Sequence, residues 1–319
     1  MSPRRVGLGI TKWGIAEALE GIQQAEALGV PAVWLTTGGG GRASPDALTI
    51  LAAAAVRTKR ILLGTAVVPT WSRHPVTVAQ QAQVVAGLAP GRLRLGVGPG
   101  HRFSMEKAYG VEFQAPLGHL REYLRILKAL LQQGSVKFEG KYYRADDSIE
   151  RPLDVPVMMS ALQRRSFELC GAEADGAIPW VCPRAYLATV ALPAMREAAE
   201  AAGRPVPPLI AQAPVCLHDR VEEVRAATRE QVSNYPRMPF YARMFADAGF
   251  PEALELKDWS DRILDEVVVW GDERQVKERL RGLFRLGASE VIASPILVGR
   301  DRAASLERTL KVLAEVSRE

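Results

Sequence analysis

The feature that most restricts this chain is an alternation. Short apolar runs recur between segments of helical periodicity, and the pair repeats eight times. Residues 6–10, 31–35, 60–68 and 92–97 read as the first four strands, and 155–159, 176–179, 209–217 and 290–295 as the last four. Between them, apolar residues three and four apart mark helices. One spans 15–28 and stops at Gly29, as a helix ending in a left-handed glycine does. Ser44-Pro45 is expected to open the second helix, with Ser44 as cap and proline in the first turn. Strands alternating with helices imply a parallel sheet, and eight units are the number that closes a (β/α)8 TIM barrel. The competing architecture is a doubly wound sheet, which carries a glycine fingerprint after its first strand. Here Ile10 is followed by Thr-Lys-Trp-Gly, so the barrel is the expected fold.

The rhythm breaks twice. Residues 98–151 hold a loop, a strong helix over about 117–133 and a hairpin around 136–143. Residues 234–265 are irregular and rich in aromatics and proline. With no low-complexity linker, the 319 residues read as one domain, 1–319, with insertions after strands four and seven.

Composition excludes several classes. Hydrophobic residues make up 48% and charged residues 24%, which is ordinary for a globular chain and rules out a disordered or fibrous one. No apolar run approaches the ~18 residues of a membrane span. The start, Met1-Ser-Pro-Arg-Arg5, precedes only a short glycine-broken apolar run, which reads as a strand and not a signal peptide. Cys170, Cys182 and Cys216 are odd in number and widely spaced, so neither a disulfide framework nor a metal pattern is expected, and a cytoplasmic setting fits. The net charge of +5 is spread along the chain. It reads as residue usage or as attraction for an acidic cofactor, ahead of nucleic acid.

In a barrel the active site gathers at the C-terminal ends of the strands. Those positions here are residues 11–13, 36–38, 67–71, 98–101, 160–164, Trp180, 216–218 and 294–295. They offer no paired carboxylates, no metal-ligand spacing and no convincing Ser/His/Asp set. They offer glycine, small hydroxyls, tryptophan (Trp13, Trp71, Trp180) and a few bases. Such a mouth suits a planar cofactor that carries the difficult chemistry itself. Gly96-Val-Gly-Pro-Gly100 is either a backbone that approaches a ligand closely or a tight turn. The glycines at 38–41 read as a loop over the mouth. His101 is the candidate for proton transfer or a polar contact, against the alternative of a solvated loop residue. His74 is read as a helix cap or an anion contact, and His119 and His218 as structural. The turn from Ser160 to Arg165 leads into a helix whose N-terminus either receives a phosphate or is simply capped.

Several stretches carry a resemblance: Ile61-Leu-Leu-Gly-Thr-Ala-Val-Val-Pro-Thr70, Arg73-His-Pro75, Ala89-Pro-Gly-Arg-Leu-Arg-Leu-Gly-Val-Gly-Pro-Gly100, Phe138-Glu-Gly-Lys-Tyr-Tyr143 and Gly271-Asp-Glu-Arg-Gln-Val276. In this order they resemble the bacterial luciferase-like monooxygenases, and within them the oxidoreductases that use coenzyme F420, a deazaflavin. The resemblance implies a (β/α)8 barrel with the ring in its mouth. It also implies a non-prolyl cis peptide behind the ring on strand three, at about Ala66-Val67, that bends the ring and favours hydride transfer. By the same resemblance Pro99, Gly100 and Ser104 contact the cofactor tail, and Ser160, Ala161, Leu162 and Gln163 hold its phosphate. Thr37 falls at a cofactor-side position. There the sugar-phosphate and alcohol dehydrogenases of the branch carry an Asp-His pair, and this chain has Thr37-Gly38. Their acid after the strand-four glycines is matched by His101, which, if protonated, would donate to a polarised double bond.

Three functions are therefore weighed. The first is an F420-dependent oxidoreductase acting on a small molecule, with a separate enzyme as a possible source of reduced cofactor. The second is an FMN-dependent monooxygenase using reduced flavin and O2. The third is a non-catalytic barrel that has lost its cofactor. The resemblance further implies a homodimer formed through residues 47–56 and 76–85, whose small apolar side chains pack closely. No membrane or nucleic-acid partner is expected.

Overall fold

The structure is a computed structural model that describes residues 4–11, 14–37 and 44–319. Twelve strands occur among them: β1 (Arg5–Ile10), β2 (Ala32–Leu35), β3 (Leu62–Thr65), β4 (Val68–Pro69), β5 (Leu93–Gly98), β6 (Ser135–Glu139), β7 (Arg144–Ser148), β8 (Val157–Ser160), β9 (Ala177–Ile178), β10 (Ile210–Leu217), β11 (Val269–Gly271) and β12 (Glu290–Pro295). Nine lie in one parallel sheet, ordered β11-β10-β12-β1-β2-β3-β5-β8-β9, and the short β4 adds to β5. The sheet curls back on itself. Parallel bridges join Ala177 to Leu209 and Trp180 to Gln212, so the β9 end meets β10. Helices such as Ile15–Leu28, Pro75–Leu88, Arg164–Glu173 and Arg302–Ser317 clothe the outside. Both strand faces are thereby buried, which is why the strands read as continuous apolar runs and do not alternate with polar residues.

The inner face of the curl is built from glycine and a few large side chains. A Cβ on Gly7 would stand 3.0 Å from Trp34 Cδ1, and one on Gly64 would stand 2.3 Å from Trp34 Cε3. The indole thus fills the space that two strands leave by lacking side chains. Ala32, Trp34, Ala66, Met158, Ile178, Ile210 and Ile292 pack together as this inner core. At its base the Trp34 Nε1–H donates to Glu290 Oε1 at 3.0 Å. The Glu290 carboxylate, 1% exposed, also pairs with Arg94 and with Arg5. A buried carboxylate with three donors is satisfied and not stranded.

Four local expectations are revised. The second helix is Ala47–Ala55, and its cap is Asp46, whose side chain accepts from the Thr49 amide at 2.9 Å. Ser44 lies two residues too early. The third strand is split into β3 and β4 around Ala66-Val67, so the continuous apolar run concealed a bulge. In the first inserted stretch the expected loop contains a helix, Arg102–Tyr109, and the hairpin is longer, from Ser135 to Ser148. The stretch 234–265 is mostly helical (Pro239–Asp247, Ala253–Leu256, Asp261–Val267); prolines that start its short helices hide their period. No helix of the described residues is long and apolar enough to cross a membrane.

Candidate active site

Side chains near the C-terminal ends of the strands form a shallow floor. Gly9, Thr36, Ala66, Gly98, Ser160, Gln212 and Ser294 are its members, and they are small or neutral. Their spacing along the strands places them one inward step beyond the Trp34 layer. Contacts between them are direct. A Cβ on Gly9 would lie 2.6 Å from Ser294 Oγ; on Gly98 it would lie 2.2 Å from Ser160 Oγ and 2.9 Å from Val67 Cγ2. Gln212 Nε2 lies 3.5 Å from Ser294 Oγ.

The peptide between Ala66 and Val67 is cis, at the position the resemblance indicated. The Thr36 hydroxyl donates to the Ala66 carbonyl at 2.8 Å. The buried Thr65 hydroxyl donates to Gly96 O and accepts from Gly96 N, joining β3 to β5 below the bulge. Beyond β4, the turn Thr70–Ser72 rests on His119. That imidazole stacks on Trp71 at 3.6 Å, faces Thr70 Oγ1 through Nδ1 at 3.4 Å and meets the Tyr143 hydroxyl through Nε2 at 2.6 Å. Burial pushes its pKa down to about 4. His119 is thus a structural residue, as expected, and so is His74, which accepts from the Val76 amide as a helix cap. His218 pairs with Glu223 at 2.8 Å.

The stretch after β10 folds across the mouth as a wall of rings. Tyr235 and Tyr241 lie 4.6 Å apart, and the His101 ring is 5.7 and 5.9 Å from them. Trp180, at the end of β9, is 6.0 Å from Tyr235, and Trp259 backs Tyr235 at 6.4 Å. Gln163 Nε2 donates to Phe240 O at 3.2 Å, tying the β8 loop to the same wall. Burial lowers the His101 pKa, so the imidazole is neutral near pH 7. The protonated donor expected from the sequence is not its resident form. Burial lifts the Tyr235 phenol to about 12 and the Tyr241 phenol further, so both keep their protons.

The remaining sequence candidates divide. Gly98, Ser160 and Val67 meet at the floor; Pro99 and Gly100 are half-buried in the turn after β5, Gly100 with φ +68°, and Ser104 is half-buried in the helix Arg102–Tyr109 that follows His101. Ala161 is buried beneath, its amide facing Ile178 O. The Leu162 and Gln163 amides already donate to Ser166 Oγ at 2.9 and 3.0 Å. The Thr37 hydroxyl accepts from the Ala47 amide at 3.1 Å, so it serves the next helix. Lys12, Trp13 and the glycines at 38–41 lie outside the described residues. Sequence reasoning missed Tyr235 and Tyr241 as individuals, although the aromatic richness of their stretch was visible. Thr36 and Ser294 stood among the strand-end positions read from the sequence, whereas Gln212, in the middle of its apolar run, was recognisable only once the inward-facing positions were known.

The profile of the luciferase-like monooxygenases matches residues 1–290. The chain belongs to that family. Among luciferase-like relatives, an F420-dependent glucose-6-phosphate dehydrogenase of Intrasporangium calvum is 29% identical over 290 residues, covering 83% of this chain and 82% of the relative. A protein of the same description from Nakamurella multipartita is 37% identical over 174 residues, a match that spans 52% of this chain and 50% of the relative's length. Solved structures share the fold. The coenzyme F420-dependent tetrahydromethanopterin reductase of Methanopyrus kandleri superposes with a TM-score of 0.77 at 20% identity over 98% of both chains. A type II Baeyer-Villiger monooxygenase from Pseudomonas putida in complex with FMN gives 0.76 at 18% over 99% of both chains.

Proposed function

We propose that this luciferase-like protein is a coenzyme F420-dependent oxidoreductase of a small organic substrate. The observation that carries it is the floor itself: small, uncharged groups from most of the parallel strands, beneath a wall of neutral rings. Groups of this size and charge suit a flat ring system, and almost no acid–base group of the protein stands among them. The residues fit such a ring. The Trp180 Nε1–H is buried with no hydrogen-bond partner that meets full geometric criteria among the described residues, and so is a donor for a ring acceptor. The F420-dependent relatives support the same reading.

When bound in its reduced form the deazaflavin supplies a hydride. Ala66, Val67, Gly98 and Ser160 would bear on the ring, and Pro99, Gly100 and Ser104 on the tail. The phosphate would sit at the start of the helix Arg164–Glu173. There the Arg164 and Arg165 amides are the open ones, because Ser166 occupies those of Leu162 and Gln163. His101, neutral and within the ring wall, is the group able to hand on a proton at its imidazole nitrogens. Tyr235, Tyr241 and Trp180 exclude water.

The curled sheet is read as the (β/α)8 barrel of one domain, with the two inserted stretches after its fourth and seventh strands. Exposed Val56, Val84 and Leu88 on the neighbouring helices Ala47–Ala55 and Pro75–Leu88 support a homodimer through that face. The three buried, unpaired cysteines suit the reducing cytoplasm.

The test is a titration of the apo-protein with F420 and, separately, with FMN. Saturable F420 binding is expected. FMN binding at micromolar concentration with none for F420 would transfer the assignment to the monooxygenases, and a protein that takes up neither would be a non-catalytic barrel.

A further inference from the structure

We propose that the substrate taken by this mouth is an uncharged, planar, apolar molecule and not a sugar phosphate; the inference rests on the assignment of the mouth as the site of an F420-dependent reaction. Three observations converge. His101, Tyr235, Tyr241 and Trp180 form one continuous run of rings, each within 6.0 Å of its neighbour. All four are neutral near pH 7: the phenols hold their protons, burial keeps the imidazole uncharged, and an indole does not titrate in this range. The elements that carry this wall also present apolar side chains to solvent. Phe103, two residues after His101, is 71% exposed, and Phe240, next to Tyr241, is 52% exposed.

A wall of this kind holds a flat apolar molecule by area and by offset or edge-on ring contacts. For a polyhydroxylated, doubly charged sugar phosphate it provides little. Each hydroxyl placed against a ring face loses a hydrogen bond to water without replacement. Arg102 and Arg164, which open the two flanking helices, are paired with Glu106 and with Glu168 and Glu197, and the exposed Arg165 adjoins the place proposed for the cofactor phosphate. At the strand-two end Thr37 spends its hydroxyl on the Ala47 amide.

The experiment is calorimetric titration of the protein, with and without F420, using coumarin as the uncharged planar probe and glucose 6-phosphate as its rival. Saturable coumarin binding is expected in wild type, weakened about tenfold in Tyr235→Ala and Tyr241→Ala and retained within about threefold in the Tyr→Phe variants, since the ring and not the hydroxyl does the holding. Phe240→Ser alters an exposed residue and so leaves folding intact; it should weaken coumarin measurably. Absent coumarin binding, coumarin affinity indifferent to the Ala variants, or saturable glucose 6-phosphate binding in its place would each overturn the proposal. F420 uptake is followed separately by its absorbance. Loss of cofactor binding therefore sinks the assignment of the reaction, while the coumarin titration of the same sample decides the wall.

Discussion

Trp34 and Gly64 are fitted to one another: a Cβ on the glycine would stand 2.3 Å from Cε3 of the indole. Because Gly7 approaches the same ring from the neighbouring strand, the indole has nowhere to retreat. Gly64→Ala should therefore destabilise the protein by about 1–3 kcal/mol or more, read as a lower midpoint in urea. Trp34→Ala should cost about 3–5 kcal/mol through the opposite fault, a cavity, made worse by an unpartnered Glu290 oxygen.

At the floor of the mouth the same geometry has a functional reading. A methyl on Gly98 would stand 2.2 Å from Ser160 Oγ and press the hydroxyl out of its place. Gly98→Ala is expected to weaken F420 binding about tenfold with little change in melting temperature. Adding Ser160→Gly removes the obstruction and should restore most of the affinity; an absorbance titration of the single and double variants checks the coupling.

Acid should act through His119. Its folded pKa of about 4 lies below the ordinary value near 6.5, so between those values the unfolded chain binds a proton that the folded chain refuses. Stability is whole above pH 6.5 and falls as pH drops toward 4, by on the order of 3 kcal/mol over the full window. In His119→Gln the slope of unfolding free energy against pH across this range should flatten. An unchanged slope would mean that the imidazole is not the group responsible.

Association is expected to depend on the exposed valines. Val84→Glu places a charge in the proposed contact, and sedimentation should show a dimer in wild type and a monomer in the variant. A monomeric wild type would remove the dimer from the account.

The legibility of the molecule was uneven for physical reasons. Apolar strands sealed by helices on one side and by their own inner face on the other announce themselves as runs, so all eight expected strands were found. The inserted helix at Pro116–Lys128 was also plain, since one of its faces is apolar and the other charged. Asp46 was overlooked as a cap because Ser44-Pro45 has the right chemistry two residues too early. β11 was missed because three residues give no period. Thr37 was expected beside the cofactor, but whether a hydroxyl faces a cavity or a helix end is not written in its neighbours along the chain.

By itself, then, the sequence determined the order of the elements, the parallel sheet and the poverty of the mouth in titratable groups. These follow from local pattern and from composition at strand ends, which survive whatever the distant parts of the chain do. Only the tertiary structure decided that burial lowers the His101 pKa, that Ser166 has taken the Leu162 and Gln163 amides, and that the Tyr235 and Tyr241 rings lie against His101. Each depends on groups brought from far along the chain, or on the exclusion of water by many of them together, and neither spacing nor propensity encodes how much water a finished fold leaves behind.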